Sequence, residues 1–156
     1  MWGILIAVVS GLLMSVQGVF NTGVTKQTSM WACNMFVQLT AFIVCLAMWA
    51  ITDRSNLLDL FKIDNKYMLV GGIMGALITF TVIKSMDSLG PAHAVMIIVI
   101  AQLLIAYLIE LFGMFGVEKV DFDLKKFVGI AIAIGGIVLF KWDDTFGKFF
   151  ANNTTV

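Results

Sequence analysis

The chain has 156 residues, of which 60% are hydrophobic and only 13% are charged, and its formal net charge is zero. A soluble domain is about half apolar and a quarter charged, so this chain has too little polar surface to cover a soluble core. The composition therefore indicates an integral membrane protein. Since the sequence has no basic stripe, nucleic acid is not an expected partner.

Five stretches are apolar enough for membrane-spanning helices, which need about 20 residues each. They run over residues 2–21, 30–51, 67–86, 92–115 and 127–142, with ends that are approximate. Tryptophan or tyrosine falls near the end of several stretches, as an aromatic belt predicts. We therefore expect an all-α protein with one five-helix transmembrane domain over residues 1–142 and a polar tail over residues 143–156.

The connections between these spans are short. The stretch "DSLGPAH" is predicted to be a tight turn, because Gly90 ends one helix and Pro91 begins the next. The longest connection holds a small amphipathic piece that is predicted to lie on the membrane surface. Its apolar residues are Leu57, Leu58, Leu60 and Phe61.

Five spans place the two termini on opposite sides of the membrane. The loops on the N-terminal side, side A, carry Arg54, Lys62, Lys66, Lys119, Lys125 and Lys126. Those on the other side, side B, carry Lys26, Lys84, Lys141 and Lys148. The positive-inside rule then predicts a cytoplasmic N-terminus. A bias this small is also what a chain inserted in both orientations would show, so dual topology stays open.

Polar side chains inside the spans are the candidate functional residues, because a polar group in hydrocarbon needs a partner. Gln17 and Asn21 are four residues apart and share a helix face, as do Asn34 and Gln38. By helix rise, these amides lie toward side B and Gln102 lies near the midplane. Either the amides bond neighbouring helices together, or they line a hydrated cavity that binds a substrate.

Glu110 is the only carboxylate well inside a predicted span, and it lies about 12 Å from the midplane toward side A. It either forms an ion pair with Lys119 or Lys125, or carries a coupling proton or ion. Trp31 and Tyr107 are candidates to offer an aromatic face to a cationic group. The sequence shows no cluster typical of catalysis or metal binding, so neither an enzyme nor a bound metal or cofactor is expected.

Small residues recur at helical spacing in two spans, a pattern that lets helix backbones approach closely. In the third span they are Gly71, Gly72, Gly75 and Ala76, for which packing within the chain is the favoured interpretation. In the fifth span they are Gly129, Ala133, Gly135 and Gly136, for which a subunit interface is favoured.

Three stretches carry a resemblance to a known family. They are "GLLMSVQGVFNTGV" in the first span, "SLGPAHAVMIIVIAQLLIAYLIELFG" from the third to the fourth, and "GIAIAIGGIVLF" in the fifth. In this order they resemble the YdcZ-type family of the drug/metabolite transporter superfamily. The chain departs from the family pattern at Ala101, where Gly is common, and at Glu110, where Asp is more common. Its first span also lacks the carboxylate that related small multidrug resistance proteins use for proton exchange.

The resemblance implies half of an inverted-repeat unit of ten helices, with the substrate site near the midplane between the halves. The other half would come from an antiparallel homodimer or from a heterodimer with a five-helix paralogue. In such a dimer, Glu110 of one subunit would lie at the depth of Gln17 and Asn34 of the other.

The expected function is therefore that of a subunit in a dimeric small-molecule transporter of the bacterial inner membrane. It would move a polar or cationic metabolite or drug by alternating access. The residues expected to contact the substrate are Gln17, Asn21, Trp31, Asn34, Gln38, Gln102 and Tyr107. The alternative is a non-transporting accessory subunit of another membrane complex.

Overall fold

The structure, a computed structural model, describes the backbone of residues 1–153 and the side chains of residues 1–137, 139 and 140. Five α-helices follow one another: α1 (Trp2–Thr25), α2 (Met30–Met48), α3 (Gly71–Leu89), α4 (Pro91–Phe112) and α5 (Leu124–Asn153). No strand occurs over residues 1–153, which agrees with the predicted all-α class. The chain divides into two compact units, Met1–Pro91 and Ala92–Val156.

In the first unit, α3 packs against both α1 and α2. Ser29 caps α2, because its hydroxyl oxygen accepts a hydrogen bond from the Ala32 amide at 3.1 Å. Ile83 and Met86 of α3 are buried together with Cys33 and Asn34 of α2. The buried residues of this unit therefore include a polar side chain, Asn34.

The longest connection of this unit joins α2 to α3 and contains three short helical turns. α2 ends in a π-helical turn, Trp49–Asp53, after which Arg54 adopts a left-handed conformation with φ 54°. Two 3₁₀ turns follow, Leu57–Lys62 and Lys66–Val70. The apolar side chains of the predicted surface piece are exposed, and their contact with a membrane stays a prediction.

The predicted turn after α3 is confirmed. Gly90 follows the helix with a φ of 81°, a conformation that glycine adopts without steric cost, and Pro91 begins α4. Gly113 has a φ of 63° at the end of α4, so this helix stops at Phe112, before the predicted end at residue 115. In both places a left-handed residue ends the helix.

The second unit contains α4 and α5, joined by a loop with a 3₁₀ turn at Met114–Gly116. Asp123 caps α5, because its carboxylate accepts a hydrogen bond from the Lys125 amide at 2.8 Å. The Val120 amide donates to the Glu110 carbonyl at 3.0 Å, which ties the loop back to the last turn of α4. Together these bonds fix the start of α5.

Four helical segments among the described residues are long and apolar enough to cross a membrane. They are Trp2–Thr25, Met30–Asp53, Lys66–Leu89 and Pro91–Phe112, and they coincide with the first four predicted spans. The fifth predicted span, residues 127–142, begins inside α5 and extends past the described side chains, so it stays a prediction, as does the tail beyond it. Many large apolar side chains of these helices are exposed, as expected for surfaces that face lipid.

Candidate functional site

A chain of polar contacts joins α2 to α3. The Asn34 side-chain amide donates to the Ala76 carbonyl at 2.8 Å. The Gln38 amide donates to the Thr79 hydroxyl at 3.3 Å and to the Asn34 side-chain oxygen at 3.4 Å. Thr79 in turn donates to the Gly75 carbonyl of its own helix at 3.0 Å. The predicted pair on α2 thus lies on one face, and that face contacts α3.

The two amides of this network differ in how firmly they are held. Asn34 is only 2% exposed, its amide nitrogen makes a short bond, and its oxygen accepts from Gln38. Gln38 is half-buried, and its bonds of 3.3 and 3.4 Å are at the long end of the hydrogen-bond range. Asn34 therefore joins the helices, whereas Gln38 can exchange its partners at smaller cost.

The predicted pair on α1 is divided between two environments. Gln17 is exposed, whereas Asn21 is 9% exposed and lies beside Cys33, whose thiol donates to the Asn21 carbonyl at 3.5 Å. The side-chain amide of Asn21 makes no hydrogen bond among the described residues. Asn21 thus presents an unused carboxamide in a nearly closed position, close to the start of α2.

The aromatic ring of Trp31 packs against a second aromatic ring. Its ring stacks on that of Phe80, with ring centroids 4.8 Å apart and an interplanar angle of 22°. The residue is still 62% exposed, so only part of its surface is covered by this contact. The pair links the first turn of α2 to α3.

In the second unit, Glu110 forms an ion pair with the start of α5. Its Oε2 lies 3.0 Å from the Lys126 ammonium, and the two side chains are 43% and 44% exposed. The predicted ion pair is therefore confirmed, but the predicted partners, Lys119 or Lys125, are wrong. Asp123 caps α5, so Lys125 and Lys126 both lie in its first turn. Successive residues of an α-helix are rotated by about 100°, and it is Lys126 that is directed to Glu110.

Tyr107 lies one helical turn before Glu110, and its hydroxyl group is bonded to the Asp123 backbone. It accepts from the Asp123 amide at 3.3 Å and lies 3.5 Å from the Asp123 carbonyl. The Lys126 ammonium lies 5.9 Å from the centroid of the Tyr107 ring, within the range of a cation–π contact. A carboxylate and an aromatic face thus meet at the same ammonium group.

A cavity of about 360 Å³ adjoins this ammonium group. Volumes of a few hundred Å³ are typical of sites for small molecules. Its lining is mostly apolar and consists of Leu103, Ala106, Tyr107, Glu110, Lys126, Gly129 and Ile130. Gln102 is exposed on α4 and is not part of this lining.

A family model described as "Putative inner membrane exporter, YdcZ" matches residues 2–139. The chain belongs to the YdcZ family. No curated protein and no solved structure gives a significant match. The YdcZ match confirms the resemblance found in the sequence, and it agrees with four apolar helices long enough to span a bilayer. The protein is accordingly a multi-pass inner-membrane protein of an exporter family.

Two features of this YdcZ-family chain were missed by the sequence analysis. One is Gly18 of α1, which leaves room for the Met86 side chain of α3, since an added Cβ would lie 2.7 Å from the Met86 sulfur. The other feature is Lys126, which was assigned only to the loop charge on side A. The position of Lys126 in the first turn of α5 could have been predicted from Asp123, because Asp is favoured at the cap position before a helix.

The small residues predicted to form a dimer interface are left uncovered by the residues that the structure describes. Among those residues, nothing lies within 4 Å of a Cβ added at Gly129, Gly135 or Gly136, and Ala133 is partly exposed. In the third span, packing within the chain occurs at Ala76, whose carbonyl accepts from Asn34 of α2. A Cβ added at Gly71, Gly72 or Gly75 meets no described residue within 4 Å, so these glycines permit no close helix approach among the described residues. Contact of the α5 residues with a second subunit stays a prediction.

Proposed function

We propose that this chain is one subunit of a dimeric exporter that moves a polar or cationic small molecule across the inner membrane by alternating access. Membership of the YdcZ family supports the exporter class. The proposed unit contains five spans per chain, with the fifth formed by α5, and two such chains in opposite orientations. The open small residues on α5, Gly129, Ala133, Gly135 and Gly136, support a second subunit at that helix.

The observation that carries the proposal is the weakly held amide of Gln38 between two apolar helices. A half-buried amide with long hydrogen bonds keeps part of its bonding capacity for another molecule. Since the side-chain oxygen of Gln38 accepts no hydrogen bond from the described residues, it remains available to a donor on a substrate. We assign Gln38 to substrate binding and Asn34 chiefly to holding α2 against α3.

The other predicted substrate contacts differ in how much of each side chain is already engaged in hydrogen bonds or ring stacking. Asn21 has an unused carboxamide, and Gln17 and Gln102 are exposed, so all three amides are free to meet a substrate or a second subunit. Trp31 offers its uncovered surface beside Phe80. Glu110, assigned to ion or proton coupling, would act from the second unit together with Tyr107.

Transport is tested with purified protein in proteoliposomes, by measuring flux of a panel of labelled amines, amino acids and sugars. Gln38→Ala is expected to lower the flux of the transported solute about two- to tenfold, the effect of losing one hydrogen bond. Thr40→Ala is the matched control on the same helix, because among the described residues the Thr40 hydroxyl bonds only to carbonyls of α2. Its flux should equal that of the wild type.

A second variant separates substrate contact from helix packing. Thr79→Val removes the bond from Gln38 to α3 but leaves the Gln38 amide in place. If Thr79→Val lowered flux as much as Gln38→Ala, Gln38 would act through packing and the substrate assignment would be wrong. Absence of flux for the whole panel, with stoichiometric co-purification of an unrelated membrane protein, would support an accessory subunit instead.

A further inference from the structure

The cavity beside Glu110 combines three chemical features. One wall is apolar and formed by Leu103, Ala106 and Ile130, and Gly129 adds no side chain to it. A carboxylate, Glu110, and an aromatic ring, Tyr107, also line it, and both lie beside the Lys126 ammonium. Such a combination suits a molecule with an apolar body and one positively charged head.

The fixed and mobile parts of this site differ. Tyr107 is bonded through its hydroxyl group to the Asp123 backbone, and the Glu110 carbonyl accepts from the Val120 amide. The ring and the backbone that carries the carboxylate are therefore held in place. Lys126 contributes a long, flexible side chain that is 44% exposed, and ion pairs of that exposure are weak. Its ammonium can therefore leave without disturbing the backbone.

The expected charge of the ligand follows from the same groups. The face of an aromatic ring is electrically negative, and so is Glu110, so both favour a cation at the point where they meet. The Lys126 ammonium occupies that point, 3.0 Å from the carboxylate and 5.9 Å from the ring centroid. A ligand carboxylate would meet two repelling groups there and only one attracting group.

We propose that this cavity binds an amphipathic amine, whose ammonium group replaces that of Lys126 on Glu110 and Tyr107 while its apolar body lies against Leu103 and Ala106. Lys126 then acts as a tethered competitor that lowers the affinity for the amine. The inference deepens the proposed function and rests on it for the role of the amine as cargo. Binding itself is measured apart from transport.

The test is isothermal titration calorimetry of the full chain in lipid nanodiscs. The probe is phenethylammonium, and phenethyl alcohol is its uncharged counterpart. We expect saturable binding of the amine and none of the alcohol. Glu110→Gln should weaken binding of the amine about tenfold or more, because the contact between charged groups is lost.

Lys126 supplies the decisive variant. Lys126→Met should raise the affinity for the amine about two- to fivefold, since it removes the competing ion pair. Lys125→Met is the matched control: it removes the same charge one residue away, from a side chain with no bond to Glu110 among the described residues. Equal affinities of these two variants would overturn the proposal.

The apolar wall is tested by a second matched pair on α4. Ala106→Phe should abolish binding because Ala106 lines the cavity, whereas Ala101→Phe should leave it unchanged because Ala101 is exposed outside the lining. Failure of both wild type and Lys126→Met to bind the amine would also overturn the proposal. Binding without flux would contradict the proposed transport function, and flux without this binding would contradict only the amine site.

Discussion

The side-chain amide of Asn34 donates a 2.8 Å hydrogen bond to the Ala76 carbonyl, and this bond joins α2 to α3 through two residues that are 42 positions apart in sequence. Asn34 is among the most deeply buried side chains of the first unit. Hydrogen bonds between helices in a membrane contribute about 0.6–2 kcal/mol. We therefore expect this contact to contribute measurably to the stability of α2 against α3.

Replacing Asn34 by leucine tests this contact directly. Asn34→Leu keeps a similar volume but removes the donor, so the free energy of unfolding should fall by about 1 kcal/mol. Unfolding is measured in mixed detergent micelles. Thr40→Val is the control, because the Thr40 hydroxyl bonds only within α2 in the part of the chain that the structure describes, and it should change stability by less than about 0.5 kcal/mol. Equal stability of the two variants would remove the role given to Asn34.

Gly18 gives a steric prediction. A Cβ there would meet the terminal part of the buried Met86 side chain, with the sulfur at 2.7 Å, so Met86 must change rotamer and Gly18→Val should destabilise the protein by about 1 kcal/mol. A Cβ added at Gly11 on the same helix meets no described residue within 4 Å, so Gly11→Val should be tolerated. The double variant Gly18→Val with Met86→Ala should cost less than the sum of the single variants. Additive losses would contradict the close approach.

The stack of Trp31 on Phe80 is expected to couple α2 to α3 energetically. A double-mutant cycle of Trp31→Ala and Phe80→Ala should give a coupling free energy of about 0.5–1.5 kcal/mol. The same cycle with exposed Phe36 in place of Phe80 should give a value near zero. Unfolding in mixed micelles supplies all the required free energies, and similar couplings in both cycles would exclude a specific stack.

Tyr107 predicts a local change in hydrogen exchange. Tyr107→Phe removes the acceptor of the Asp123 amide, so exchange of that amide should become about two- to tenfold faster. Tyr67→Phe is the matched control, because the exposed Tyr67 hydroxyl makes no hydrogen bond among the described residues. Exchange is followed by mass spectrometry of peptides that cover residue 123. Unchanged exchange at that residue would show that the hydroxyl does not hold the loop.

Dual topology predicts the behaviour of reporter fusions. A reporter fused to the C-terminus should be found on both sides of the inner membrane, because the loop charges of Lys and Arg barely favour one orientation. Adding lysines to the loops of side A should shift the population to an N-terminus that faces the cytoplasm. A single orientation in the unmodified chain, together with a purified homodimer, would contradict the antiparallel arrangement.

The helices were predictable from the sequence because long apolar stretches and the Gly90–Pro91 turn are local signals. The first four predicted spans agree with helices of the structure to within a few residues. The end of α4 was predicted too late, since hydropathy continues through Phe115 while the left-handed Gly113 stops the helix. Hydropathy measures only composition, whereas helix ends depend on backbone conformation.

The contacts between helices were less predictable, because they depend on how each helix is rotated. Spacing correctly placed Asn34 and Gln38 on one face, but the same spacing joined Gln17 to Asn21, of which only Asn21 is buried. Likewise, a glycine pattern pointed to Gly75, whereas the close approach occurs at Gly18 opposite a long Met86 side chain. A contact with a residue on another helix produces no regular spacing in the sequence, so spacing alone cannot predict it.

The backbone bonds around Glu110 have a kinetic consequence. Tyr107 and Val120 tie the end of α4 to the loop before α5, so rotation of the Lys126 side chain is enough to release its ammonium from Glu110. Exposed side chains change rotamer in picoseconds to nanoseconds, whereas collective helix motions take microseconds to milliseconds. Exchange of the Lys126 ammonium for that of a ligand is therefore not limited by helix motion, and a weakly bound ligand would equilibrate with this cavity before the helices move.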